Sequence, residues 1–145
     1  MLAFLMSAIM WGYQWYQHRV RIDINVIDYM KIGNVVQFFV FIHNRSERVC
    51  PVYSIQLLSR SFITCELESK PIKERNNHLI TTASFPINLS PLESRSVYLE
   101  FVDCPDIQLA PGKEVTFQIH TMRGPVSKIV LLGDISHYLH TRMSR

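Results

Sequence analysis

The sequence predicts an all-β fold, an antiparallel sandwich preceded by a short apolar helix. Three observations carry this. After residue 18, apolar residues recur with a period of two through most of the chain. Turn-forming Gly, Pro, Asn and Ser interrupt these runs at short intervals. The alternation of strands with helical patterns that a parallel sheet needs is missing. With 145 residues the chain holds one compact domain plus an appendage and is short for two independent cores.

The appendage comes first. Met1 to His18 contain no charged side chain, and Arg19 and Arg21 follow directly. Leu2, Phe4, Leu5, Met6, Ile9, Met10, Trp11, Trp15 and Tyr16 make this the most apolar stretch of the chain. As a helix it would be about 27 Å long, close to the roughly 30 Å hydrocarbon core of a bilayer. The expectation is a membrane-anchor helix over residues 1–18. Trp11, Tyr13, Trp15 and Tyr16 would lie in the headgroup layer, and Arg19 and Arg21 would act as interfacial basic residues. This implies a single-pass membrane protein with the bilayer as a partner and the following domain on the cytoplasmic side, since the basic flank is C-terminal. A cleaved signal peptide fits less well, because the stretch lacks an N-terminal Lys or Arg and a small-x-small cleavage site. An interfacial or buried helix is the other reading.

Periodicity then switches to two. Val20, Ile22, Ile24 and Val26 share one parity against Arg19, Arg21, Asp23 and Asn25, and Gly33 supplies a turn after Lys31. Val35 to His43 returns with apolar residues on both faces, Val36, Phe38, Val40 and Ile42 against Phe39 and Phe41, which predicts a central or doubly covered strand. After the polar turn Asn44 to Arg48, Pro51 opens a strand reaching Leu58, and Phe62 to Leu67 forms a short one. Glu68 to Asn77 is the most polar connection, expected to be a solvated crossover. Leu79 to Thr82 and Phe85 to Leu89 read as short edge pieces, because Pro86 lacks a ladder donor. Ser94 to Val102 alternates again. Pro111-Gly112 has the residues of a type II turn and leads into Val115, Phe117 and Ile119; Gly124-Pro125 then turns the chain into Val126 to Leu132.

Seven or eight strands result, in three parts: the 1–18 anchor, a 19–133 sandwich of immunoglobulin-like or fibronectin-like type, and a 134–145 polar tail that is either a short helix or disordered. An antibody-type disulfide core is not expected, because both tryptophans precede the strands. The apolar segment, the strand Arg19 to Val26, and the run Val35-Val36-Gln37-Phe38-Phe39-Val40-Phe41-Ile42-His43-Asn44-Arg45-Ser46 resemble small bacterial membrane-anchored proteins with an immunoglobulin-like domain. Leu109-Ala110-Pro111-Gly112-Lys113 is similar to the turn before a strand in such domains. The resemblance implies fold and attachment and supplies no catalytic residue.

Catalytic grammar is thin. Fifteen Lys and Arg against 12 Asp and Glu give +3, too small a basic excess to argue for nucleic acid. Six scattered histidines include no His-Glu-x-x-His, and His137 with His140 would need a third donor to bind zinc. Cys50, Cys65 and Cys104 lack Cys-x-x-Cys spacing; Cys65 reads as a core residue, while a disulfide between Cys50 and Cys104 stays open. Glu66 with Glu68, Asp103 with Asp106 and Glu93 with Glu100 are carboxylate pairs without a reason to hold separated pKa values. Asn44-Arg45-Ser46 and Asn88-Leu89-Ser90 match the glycosylation triplet. The expectation is therefore a non-enzymatic, membrane-anchored binding or assembly module with a protein partner, no cofactor and no metal. It would act through sheet edges or loops, those distal to the anchor above all. An enzyme or metal protein with a site built from distant loops, and a viral or host accessory membrane protein, are the alternatives.

Overall fold

A computed structural model of the chain describes residues 1–18, 21–75 and 78–133. Among these residues helix α1 (Leu2–His18) precedes ten strands: β1 (Ile22–Ile32), β2 (Val35–Asn44), β3 (Cys50–Leu58), β4 (Phe62–Thr64), β5 (Pro71–Arg75), β6 (His78–Thr81), β7 (Ile87–Leu89), β8 (Ser94–Phe101), β9 (Glu114–Thr121) and β10 (Gly124–Leu131). Strand β5 lies in the stretch expected to be a solvated crossover, and it pairs as an antiparallel hairpin with β6, which falls on the edge piece expected at Leu79 to Thr82. The tail from residue 134, for which a helix or disorder was expected, lies outside the described residues.

Two mostly antiparallel sheets make a sandwich-like arrangement. One has the order β1-β2-β8; the other runs β10-β9-β3-β4, with β7 also paired to β3. The predicted parity sets the core: Ile22, Ile24, Val36, Phe38, Val40, Ile42, Leu99 and Phe101 from the first sheet meet Val52, Ile55, Leu57, Val115, Phe117 and Ile119 from the second. Phe38 lies edge-on to both Phe101 (ring centroids 5.9 Å apart) and Phe117 (5.2 Å), a geometry that aromatic quadrupoles favour.

Two bulges in the sandwich sheets correct the simple alternation. In β1 the register slips between Val26 and Asp28. Unbroken alternation would turn Asp28 inward; the extra residue resets the phase so that Asp28 faces out opposite Phe39 and Tyr29 joins the core opposite Phe38. The slip between Val52 and Ser54 in β3 likewise leaves Tyr53 outside and turns Ile55 and Leu57 in.

Turn chemistry follows the sequence. Gly33 (φ 58°) joins β1 to β2, and at Ala110-Pro111-Gly112-Lys113 the Gly112 φ of 83° and the Lys113 N–H to Ala110 carbonyl bond (3.1 Å) close the type II turn. The sheet edges are joined by sparse polar contacts. Along β8, Glu66 N–H donates to the Glu100 carbonyl and Ala83 N–H to that of Tyr98, both at 2.9 Å. At the opposite edge, Lys128 of β10 pairs with Asp23 of β1 (3.2 Å), and Tyr29 Oη donates to the Gly133 carbonyl (3.1 Å). Buried Thr82 closes the neck of the β5–β6 hairpin: its N–H donates to the Lys70 carbonyl (2.8 Å), and its Oγ1 accepts from Lys70 N–H (2.8 Å) and donates to the Glu68 carbonyl (3.3 Å).

Candidate functional site

No helix among the described residues is long and apolar enough to cross a membrane. Seventeen residues rise only about 25 Å, and Ser7, Gln14, Gln17 and His18 dilute the segment. The membrane-anchor role given to Leu2, Phe4, Leu5, Met6, Ile9, Met10, Trp11, Trp15 and Tyr16 is corrected accordingly. The single-pass topology, the bilayer as partner and the cytoplasmic placement of the β domain depended on a span and fall with it, as does the accessory membrane protein reading. Arg19 and the side chain of Tyr16 lie outside the described residues. Arg21 is tied into the β domain, its carbonyl accepting from Arg45 N–H at 2.7 Å.

What α1 does present is uncovered apolar surface. Leu2, Phe4, Leu5, Met6, Ile9, Met10, Trp11, Tyr13 and Trp15 are all exposed, Leu5 least at 57%. At 100° per residue, Phe4, Trp11 and Trp15 occupy one side, while Leu2, Leu5, Met6, Ile9, Met10 and Tyr13 occupy the opposite arc. Ser7 and Gln14 share a polar stripe between them, and Gln17 falls within the second arc. A helix apolar over most of its circumference belongs in surroundings that enclose it.

A second uncovered apolar surface is the outer face of β1-β2-β8. Val35, Gln37, Phe39, Phe41 and His43 of β2 point away from the core, flanked by Met30 and Ile32 of β1 and by Ser96, Tyr98 and Glu100 of β8. Phe39 and Tyr98 stack with ring centroids 4.4 Å apart, and Gln37 Nε2 donates to Glu100 Oε2 (3.0 Å). Central strand β2 therefore carries aromatics on both faces. The sequence marked this strand as central or doubly covered; it is central, and on its outer face Phe41, Met30 and Ile32 are exposed while Phe39 and Tyr98 are half-buried. The other sheet contrasts with it. Its central strand β9 turns Thr116, Gln118 and His120 outward, and His120 Nε2 bonds Gln56 Oε1 (2.9 Å), whose own Nε2 donates to Thr64 Oγ1 (3.1 Å).

The groups nominated for chemistry do not converge. Asp23, His43 and Ser94 stand in one cross-strand row on β1, β2 and β8, the residue types of a hydrolytic triad. The row is wired differently: His43 presents Nδ1, the nitrogen that a triad turns to its carboxylate, to Ser94 Oγ. The Asp23 carboxylate is taken by Arg45 (3.0 Å) and Lys128 (3.2 Å). Each nominated carboxylate pair is also split by a cation, Glu66 to Lys70, Asp106 to Arg60 and Glu93 to Arg95. No cluster of three or more His, Cys, Asp or Glu suited to a metal occurs among the described residues, and His137 and His140 fall outside them.

Partial burial alone would raise the Asp23 pKa, but the bonds from Arg45 and Lys128 outweigh it and hold the carboxyl below its ordinary value. A carboxyl lowered on folding stabilises the fold above its unfolded pKa of about 3.9, and that contribution disappears as pH falls through the folded value. Asp23→Asn should therefore lower stability at pH 7 by less than about 1 kcal/mol, since the pairs are solvent-screened. The variant and the wild type should draw together as pH falls through the lowered folded pKa of Asp23. Urea midpoints measured from pH 7 down into acid check this.

All three cysteines are buried free thiols, which answers the open question of a Cys50–Cys104 bridge. Burial raises each pKa, and pushes Cys65 up to about 11. The native protein should thus react negligibly with Ellman's reagent at pH 8 and release three thiols on denaturation. Fast reaction of any native thiol would contradict the burial.

One residue was missed as structural. Asn44, the first residue of a glycosylation triplet, is fully buried. Its Nδ2 donates to the carbonyls of Arg48 (2.8 Å), Leu89 (3.2 Å) and Ser90 (3.1 Å), its Oδ1 accepts from Ser46 N–H (3.0 Å) and Oγ, and its N–H donates to the Glu93 carbonyl (2.9 Å). The folded chain leaves this amide no room for a glycan. The signal was present in the polar Asn44 at a core-facing parity of β2.

Comparison of the sequence with protein-family models and with curated proteins finds no match. The resemblance to bacterial membrane-anchored proteins is corrected on both counts: no family relation supports it, and α1 is not a span.

Proposed function

We propose that the chain is a non-enzymatic protein-interaction module, in which a β-sandwich of immunoglobulin or fibronectin type carries an apolar helix for seating in a protein groove. The strand order supports the fold type. Taking β1, β2, β3, β8, β9 and β10 as strands A, B, C, E, F and G puts A, B and E in one sheet and C, F and G in the other, with short β4 extending the second sheet beside C. The observation that carries the functional reading is α1, whose aromatic, Leu, Ile and Met side chains are exposed around most of its circumference. Such side chains supply anchors for helix-in-groove recognition, and methionine adapts to irregular pockets.

Diazirine cross-linking from photo-methionine at Met6 and Met10, in cells producing the full chain, tests this. Discrete protein adducts mapping to those positions are expected. Their absence, with the chain recovered unmodified or only solvent-quenched, would overturn the reading.

A further inference from the structure

We propose that the groove for α1 is the outer face of the β1-β2-β8 sheet of a second copy, so that two chains exchange helices reciprocally. This rests on the interaction-module reading and names its partner. The two surfaces fit in size. Three strands about 4.8 Å apart offer a face about 10 Å wide, the diameter of one helix. From Val35 to His43 that face runs about 27–30 Å, against about 25 Å for α1.

They also fit in chemistry. The middle of the face is Phe39, Phe41 and Tyr98, continued by Met30, Ile32 and Val35, with Phe41, Met30 and Ile32 exposed. Its acidic groups are on the flanking strands, Asp23 and Asp28 on β1 and Glu100 on β8; Asp23 is already held by Arg45 and Lys128, and Glu100 accepts from Gln37 of the middle strand. Helix α1 brings no ionised side chain between Leu2 and His18, so it buries no charge there, and its Ser7 and Gln14 stripe is free to face water.

Each chain thus presents an apolar helix whose large side chains are exposed from Leu2 to Trp15 and an apolar sheet face with Phe41, Met30 and Ile32 exposed. Exchange about a twofold axis satisfies both pairs at once, as an isologous interface requires. Two contacts of about 25 by 10 Å, counted on both surfaces, bury about 1,000 Å², the area a biological interface must clear and the size of a weak, reversible dimer.

Light scattering of the purified full chain should give the mass of a dimer. Phe41→Glu, on the seat, and Trp11→Glu, on the helix, should each give monomers with unchanged far-ultraviolet circular dichroism; Met30→Lys serves as a second seat variant should Phe41→Glu misfold. An equimolar mixture of the two glutamate variants should regain a dimer at least tenfold weaker than wild type, because the intact helix of one meets the intact seat of the other. Both tryptophans lie in α1, so their emission should shift red whenever the dimer is lost. Several outcomes overturn the exchange: a wild-type monomer, a dimer that survives both variants, or a mixture that stays monomeric, as it would if α1 seats on its own sheet. A monomer that still forms adducts with another protein from Met6 and Met10 removes the exchange alone; absence of any adduct removes the interaction module as well.

Discussion

Phe38→Ala is expected to cost about 3–5 kcal/mol, against a total stability of about 5–15 kcal/mol for an ordinary domain. The ring is fully buried and touches Phe101 of its own sheet and Phe117 of the facing one, so its removal opens a void where the two sheets meet. Rigid strands on either side prevent full collapse, and the residual cavity adds to the lost transfer energy. Urea unfolding followed by far-ultraviolet circular dichroism measures the effect. A loss below about 1 kcal/mol would mean that the sheets are not held together through this ring.

The second large effect is expected at Asn44, where Asn44→Ala should cost about 2–4 kcal/mol. The substitution leaves three carbonyls without their shared donor and Ser46 without its acceptor, in a place where the asparagine is fully buried. Asn44→Asp keeps the shape and the acceptor for Ser46 but turns a carboxylate toward the Arg48, Leu89 and Ser90 carbonyls. Its folded pKa should therefore rise. A carboxyl raised on folding favours the fold below its unfolded pKa, about 3.9, and that contribution is lost as pH climbs through the raised folded value. The aspartate variant should accordingly lie closer to wild type at pH 3.5 than at pH 7, whereas the alanine variant should show the same deficit at both. Equal deficits for the aspartate variant would mean that the amide donors are dispensable.

Much of the sandwich was legible because one buried face imposes a period of two, and parity alone places Phe38, Phe117, Ile119, Leu99 and Phe101 in the core. What failed depends on information that parity lacks. The β1 bulge is invisible to it: only the cost of burying Asp28, weighed against leaving Tyr29 out, selects the slipped register. In the β5–β6 hairpin, β6 was legible as an edge piece at Leu79 to Thr82, while β5 sits in a polar stretch where composition argues for a loop and only the local ladder with β6 makes it a strand. The N-terminal segment was read by hydrophobicity, which reports a preference for apolar surroundings without naming them. A doubly apolar β2 and an apolar α1 were both visible in the sequence, but their complementarity needed the sheet order to appear.

The Thr82 clasp bears on where this chain can be rewritten. Because the backbone is pinned at Lys70 and Thr82, the excursion between them leaves and re-enters at a fixed gate, and what happens beyond it imposes no register on the core strands. Insertions of a reporter or epitope between residues 71 and 81, or replacement of that excursion by a short linker, should pass without loss of the native state. The same length change between Asn44 and Cys50 would tear apart two turns sewn to one amide.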